Sequence, residues 1–430
     1  MQRRTFVKSA AGTVAASSAA MGAAGRVIGA NDKIRVAVIG VNGRGQSHMN
    51  GLQPLENVEV TTFVDPDLEV GNKRAGQFEE RHGHKPKVVQ DLRRVLDDKD
   101  IDVVTIATPN HWHTLAAVWA CQAGKDVYVE KPATHCYNEG LSLIAAAKKY
   151  NRIVQHGVQL RSSEAVREAV QLMRDGEIGD VYMARATIFK WRPALEQHPD
   201  EQAPKHLDYD LWLGPGKHRP YSKRHVHYNW HWTWDFGNGE IGNQGIHETD
   251  MMQWGLDVKM PTKLASMGGK YLWDDHRETP ELLTTLMEFD GGKKFGEVAV
   301  RFWNSNHETE SANGNLFYGS EGHLVISGYE QFAFYHGRKN EPGKTGKSPT
   351  MHFENFIKAV RSRRTEDQHG PVETAHYAAG MAHLGNITHM RDKVLEFDPL
   401  KERFTNDEEA NRMLGQEYRK GFEVPAPNKV

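Results

Sequence analysis

The 430-residue sequence predicts a two-domain α/β protein, with a parallel-sheet domain first and an α+β domain built on a large antiparallel sheet after it. Three observations carry that expectation. The chain exceeds the ~250–300 residues that a single hydrophobic core usually serves. Residues 33–155 alternate short apolar runs with amphipathic stretches, the rhythm of strands joined by crossover helices. After Ile153 the texture changes to longer β-rich segments with few helices between them.

In chain order, Lys33–Ile39 and Val58–Val64 read as the first two strands, and Asp102–Ala107 and Asp126–Val129 as buried strands after them. Val181–Lys190, Leu282–Phe289 and Phe295–Trp303 carry the β-rich texture of the second half, whereas Arg338–Thr350 reads as a polar loop rich in Gly, Pro and Lys. The expected boundaries are a leader over 1–30, a first domain over 33–155 and a second over 156–430. With 54 basic and 56 acidic side chains the formal charge is −2, which offers nucleic acid or an anionic membrane no global attraction. A small ligand of little charge fits better. Cys121 and Cys136 are the two cysteines, too few for a disulfide framework.

The chemistry-bearing motifs sit at predicted strand ends. Gly40-Val41-Asn42-Gly43-Arg44-Gly45 follows the first strand and opens a helix, as a pyrophosphate site at a helix N-terminus requires. The usual middle glycine is Asn42, which tolerates left-handed backbone, and a plain glycine-rich turn is the alternative. Asp65, twenty residues past Gly45, is placed to accept hydrogen bonds from an adenosine ribose diol and to repel a 2′-phosphate. It favours NAD over NADP; a turn-capping aspartate before Pro66 is the bland reading. Thr108-Pro109-Asn110-His111-Trp112-His113 and Glu130-Lys131-Pro132 end two further strands, and open parallel sheets place ligands at such carboxyl ends.

The run from Thr108-Pro-Asn-His through Ala-Gly-Lys125 to Glu130-Lys131-Pro132 resembles the glucose-fructose oxidoreductase, inositol dehydrogenase and rhizopine-catabolism (Gfo/Idh/MocA) family. The likeness continues in Gln159-Leu-Arg161, Trp212-Leu-Gly-Pro215, Gly242–His247 with Asp250, and Gly319-Ser-Glu-Gly322. It implies an N-terminal Rossmann dinucleotide-binding domain and a C-terminal domain whose open sheet supports substrate and subunit contacts, hence a homo-dimer or homo-tetramer. The cofactor contacts it implies are Gly40, Asn42, Gly43, Arg44, Gly45, Asp65, Thr108, Pro109, Asn110, His113, Glu130, Lys131 and Gln159. Lys131 matches the family lysine that orients and polarises the substrate oxygen. Asn243 and His247 match an Asp and a His four residues apart, and His247 is the expected acid/base, since an imidazole pKa near ~6.5 suits proton transfer. Asn243 departs from the commoner aspartate, so no carboxylate supports the histidine there. Asp250 shares a helix face with His247 and is expected to orient it or to bind a substrate hydroxyl, capping or a salt bridge being equally open. Arg161 joins the expected substrate contacts.

Six of the ten tryptophans lie from Trp191 to Trp254, interleaved with histidines in Trp230-His-Trp-Thr-Trp-Asp-Phe236. Flat rings beside polar donors suit a sugar's C–H face, with Trp232 the expected platform. Packing and subunit contacts are the alternative. His225-x-His227-x-x-x-His231 lacks the further ligands of a zinc site, so no metal is expected.

Met1-Gln2-Arg3-Arg4-Thr5-Phe6-Val7-Lys8 followed by a weak Ala/Gly/Ser/Val run resembles a twin-arginine signal, which implies export in the folded state by the twin-arginine machinery to the periplasm. An exported enzyme cannot draw freely on cytoplasmic NAD, so a tightly retained, internally recycled NAD is expected. The readings this supports are hydride transfer between NAD(P) and a sugar or cyclic polyol hydroxyl, and alternatively an NAD-dependent glycosidase acting by transient oxidation and elimination. An exported sugar-binding protein with a vestigial nucleotide site is a third.

Overall fold

The computed structural model describes residues 32–303 and 313–430, so the leader over 1–30 lies outside the described residues. In the first half, the apolar runs become β1 (Ile34–Ile39), β2 (Val58–Val64), β3 (Lys87–Val89), β4 (Val103–Ile106), β5 (Asp126–Val129) and β6 (Val154–His156). They form one parallel sheet in the order β3-β2-β1-β4-β5-β6. Every residue of β4, β5 and β6 is buried, as expected where helices cover both faces of a parallel sheet. Those helices are α1 (Gly45–Leu52), α2 (Leu68–His82), the single turn α3 (Arg93–Leu96), α4 (Asn110–Gln122) and α5 (Tyr137–Tyr150). The strand order reverses between β1 and β4, which opens a crevice at their carboxyl ends. Edge strand β3 was not expected: three half-exposed residues are too few to show an alternation.

The second half contains α6 (Glu164–Arg174), β7 (Val181–Phe189), α7 (Tyr209–Leu213), α8 (Gly239–Asn243), α9 (Gly245–Leu256), β8 (Lys263–Gly269), β9 (Leu282–Phe289), β10 (Lys294–Arg301), β11 (Asn313–Gly319), β12 (Gly322–Ser327), β13 (Gln331–His336), β14 (Glu341–Lys347), α10 (His352–Ser362), α11 (Val372–Arg391), β15 (Leu395–Asp398) and β16 (Arg403–Phe404). Ten strands form one sheet, in the order β14-β13-β12-β11-β7-β10-β9-β8-β15-β16. It is antiparallel except where β10 runs parallel to β7. In β9, Leu283, Thr285, Met287 and Phe289 are buried in alternation with outward residues, and α6, α9 and α11 pack on the buried side.

Two expectations need correction. Residues 341–347 are a strand paired with β13, and the polar Glu-Pro-Gly-Lys-Thr-Gly-Lys composition is that of an exposed edge, where lysine, glycine and proline discourage further pairing. The second half is also richer in helix than its texture suggested. In the 20-residue α11, alanines, glycines and histidines are buried along both sides of the helix, which blurs the amphipathic signal.

The chain returns to the first domain after building the second sheet. Phe356, Ile357, Ala359 and Val360 of α10 complete the core beneath β1 and β2, and Phe422 packs edge-on to Trp112 and beside Trp119 of α4. Since Phe356 is fully buried, Phe356→Ala is expected to cost about 3–5 kcal/mol. Urea unfolding followed by far-UV circular dichroism would read this as a lowered midpoint, with the slope unchanged.

Candidate active site

The turn after β1 is shaped by close backbone approach. Gly40 adopts φ +81°, and a Cβ there would lie 2.7 Å from the Ala107 carbonyl oxygen, while a Cβ on Gly45 would lie 2.0 Å from the carbonyl of Gly40. Only glycine fits either place. A Cβ on Gly43 would meet nothing within 4 Å, which leaves this stretch of backbone open to the crevice. Asn42 is not among the positive-φ residues, so its tolerance of left-handed backbone is not used. Asp65, at the end of β2, accepts from Val41 N (3.1 Å) and Asp67 N (3.0 Å), one bond to each oxygen. Each oxygen keeps a lone pair for a hydroxyl. Burial pushes the Asp65 carboxyl up to about 6.

Glu130 is buried at the end of β5, where Arg44 Nε (2.7 Å) and His48 Nε2 (3.1 Å) donate to its Oε1. Against the burial that opposes it, the Arg44 charge holds the Glu130 carboxyl well below its usual range. The strand end is thereby tied to the glycine turn. Both ring nitrogens of His113 face carbonyls, Pro132 O at 2.5 Å and Thr108 O at 2.8 Å. Burial lowers its pKa, and a neutral ring has one N–H, so it bonds one of them at a time. Asn110 Nδ2 donates to Asn238 Oδ1 of the second domain (3.0 Å).

Lys131 stands where the domains meet. Its Nζ donates to Asn243 O (2.8 Å) and Asn243 Oδ1 (3.2 Å), and the loss of solvent pushes the ammonium down to about 8, only partly offset by Glu130. His247 follows on α9. Burial and then the Lys131 charge hold the imidazole well below its usual value, its Nδ1 is buried without a partner, and its ring meets Tyr329 edge-on at 5.0 Å. The neighbouring Glu248 is pushed by burial up to about 8; its Oε1 accepts from Gln244 Nε2 (3.1 Å). Asn243 is thus coupled to the lysine, and among the described residues no carboxylate is hydrogen-bonded to the His247 ring.

His247 is buried and is not among the residues that line the crevice, and other expected site residues lie off it too. Arg161 Nε bonds both oxygens of Asp250 (2.9 and 2.8 Å) and Nη2 donates to Gln253 Oε1 (2.7 Å), with Trp254 stacked beside the guanidinium. Two buried opposite charges satisfy each other, so Asp250 neither orients His247 nor lines the crevice, and Arg161 is equally withdrawn. Gln159 is not among the lining residues and donates to the Tyr128 hydroxyl (3.3 Å). Trp232 is 2 % exposed and belongs to the second core, packed on Phe302 with Arg192 and Arg277 over its ring. The ring stack that does face the crevice is Trp230 on His231, with centroids 3.6 Å apart. The turn at Asn229–Trp232 is a tight 3-10 helix, and it aims neighbouring rings in different directions.

The crevice encloses about 320 Å³. Gly40, Asn42, Gly43, Arg44 and Asp65 line it, as do Thr108, Pro109, Asn110 and His113 and, where the domains meet, Glu130, Lys131 and Asn243. Gly45 shapes the turn from beneath. Sequence reasoning missed Gln90–Leu92, which carry no motif, and Leu211, Trp212, His227 and Tyr228, although the last four fall in the histidine- and tryptophan-rich stretch already conspicuous in the sequence. His225, His227 and His231 bond Tyr209, Asp67 and the Tyr228 carbonyl respectively, three separate partners.

Residues 34–158 match the family model described as the oxidoreductase family, NAD-binding Rossmann fold, and residues 163–270 and 311–424 match its C-terminal alpha/beta domain. The chain belongs to the Gfo/Idh/MocA oxidoreductase family. Among relatives, levoglucosan dehydrogenase of Pseudarthrobacter phenanthrenivorans is 34% identical over 132 residues, 31% of this chain and 32% of that protein. A glycosyl hydrolase family 109 protein of Shewanella sp. is 30% identical over 159 residues, 36% of this chain and 34% of that protein. The chain thus aligns with about a third of the length of each. The WlbA dehydrogenase from Bordetella pertussis, solved with NADH and UDP-GlcNAcA, superposes with a TM-score of 0.64 at 15% identity, covering 85% of this chain and 99% of that one. That likeness concerns the fold.

The donor set of this Gfo/Idh/MocA member fits NAD. Open backbone at Gly43 admits a pyrophosphate, Asp65 keeps acceptors for a ribose diol, and the crevice-lining Thr108 hydroxyl is buried without a partner. Gly45→Ala is therefore expected to weaken NADH binding roughly tenfold or more, read by fluorescence titration, because its Cβ would collide with backbone that cannot yield.

Proposed function

We propose that the protein transfers hydride between NAD and a carbinol carbon of a sugar or cyclic polyol, with Lys131 polarising the carbinol oxygen and His247 exchanging its proton. The observation that carries the reading is the meeting of Lys131, from the end of β5, with Asn243, one turn before His247, at the mouth of a dinucleotide crevice. In the oxidising direction the C–H bond breaks with its electron pair leaving as hydride, the O–H proton passes to His247, and a carbonyl forms. Bound NAD supplies the hydride acceptor. A neutral imidazole is ready to take that proton, and burial keeps His247 neutral. The Lys131 ammonium stabilises negative charge developing on the oxygen, in a setting with little solvent to screen it. Trp230 and His231 offer a flat wall for a ring substrate.

A second reading, redox-assisted glycoside cleavage, is favoured by the family 109 relatives and uses the same residues to oxidise a ring hydroxyl, eliminate the aglycone and return the hydride. Export through the twin-arginine route and assembly through the outer face of the large sheet, where Met267 is 81 % exposed, complete the proposal. Cell fractionation and sedimentation test these two elements.

The deciding experiment incubates the protein with free sugars and glycosides while nicotinamide absorbance and product masses are recorded. Products lighter by two hydrogens support the dehydrogenase, cleaved aglycone at constant NADH supports the second reading, and absence of any turnover overturns both. Lys131→Met and His247→Ala are each expected to lower kcat by ~10²–10⁴ while NADH binding persists. Because Lys131 is pushed down to about 8, its ammonium is complete below that pH and lost above it, so kcat/KM should fall on the alkaline side. Asn243→Asp would set a carboxylate against Nζ and move that limb to higher pH by about one unit.

A further inference from the structure

The second domain sends one long excursion back across the first. Residues 198–236 carry a small core of their own, with Leu207, Trp212, Tyr221, Val226, Trp230 and Phe236 buried together, so this strap is packed as a unit. On one flank it is pinned to α4: Trp112 Nε1 donates to Leu211 O (2.9 Å) and His111 Nε2 to Trp212 O (3.0 Å). On the opposite flank it reaches the turn after β2. There Leu68 N donates to His206 O (3.0 Å) and Asp208 N to Pro66 O (2.9 Å).

The side chains at that second flank converge on Asp67. Its carboxylate already caps α2, with Oδ1 accepting from Glu69 N (2.9 Å) and Val70 N (3.2 Å). His206 Nδ1 reaches the same oxygen at 2.9 Å and His227 Nε2 reaches Oδ2 at 3.0 Å. The Asp67 side chain is 2% exposed, so both histidines come to a carboxylate that is nearly shut from water. Asp67 is two residues past Asp65, and His227 lines the crevice facing it. With Asp65, Gln90 and Leu92 on one wall and Leu211, His227 and Tyr228 on the other, the strap covers the adenosine end.

We propose that His206 and His227, meeting on Asp67, form a clasp that closes the strap over the adenosine half of the crevice, so that the dinucleotide is a resident group released only when the clasp opens. This rests on the reading that the crevice holds NAD. The retention expected of an exported enzyme thereby gains a structural cause that does not depend on export.

The test loads the full-length protein with labelled NAD, adds excess unlabelled NAD, and follows the label retained after rapid desalting. The wild-type protein is expected to release label more slowly than it turns over. His206→Ala, which removes half of the clasp without touching the crevice lining, and His227→Ala are each expected to speed release at least tenfold, with the thermal unfolding of the nucleotide-free proteins unchanged. Wild-type release as fast as turnover overturns the clasp, whether or not the variants fold; so does unchanged release from both variants. Failure of the wild type to bind NAD at all would instead remove the underlying reading.

Discussion

A carboxylate buried at the end of a parallel strand must find its counter-charges inside the protein, and at Glu130 that requirement organises the site. Arg44 and His48 supply the partners, and breaking a buried pair of this kind typically costs about 3–5 kcal/mol. Arg44 belongs to the glycine turn and His48 to the helix it opens, so one side chain fixes the spacing between that turn and Lys131, the residue that follows Glu130. The glycine turn cannot drift from the strand end without stranding a charge.

Beside that anchor, both domains contribute polar groups to the junction. The first contributes an ammonium pressed toward neutrality by its surroundings. The second contributes an imidazole kept neutral by burial and an amide, Asn243, that accepts from the ammonium without adding negative charge. An aspartate at 243 would hold the proton on Lys131 more firmly. Asparagine leaves the lysine closer to the pH at which it titrates, so the balance between the two groups is set by an uncharged partner.

The legible parts of the molecule were the local ones. β1, β2, β4 and β5 announced themselves as apolar runs, and Gly40, Asp65 and Lys131 could be placed because strand ends converge in a parallel sheet. What stayed hidden depends on distant partners. Arg161 and Asp250 looked available for substrate until folding brought them together across 89 positions of sequence. Trp232 was separable from Trp230 only by the rotation of a short 3-10 turn. The edge strand β14 was disguised by the polar residues that protect an edge.

The return of α10 to the first core bears on how the molecule is made. The sheet of β1 to β6 is synthesised by residue 156, yet part of the layer beneath it arrives about 200 residues later, with Phe356 and its neighbours. At ~5–20 residues per second that is on the order of ten seconds or more of translation, during which part of the apolar face of β1 and β2 stays uncovered. The nascent first half is thus a client for whatever shields hydrophobic surface at the ribosome, and the nucleotide crevice cannot mature before the second half has been made.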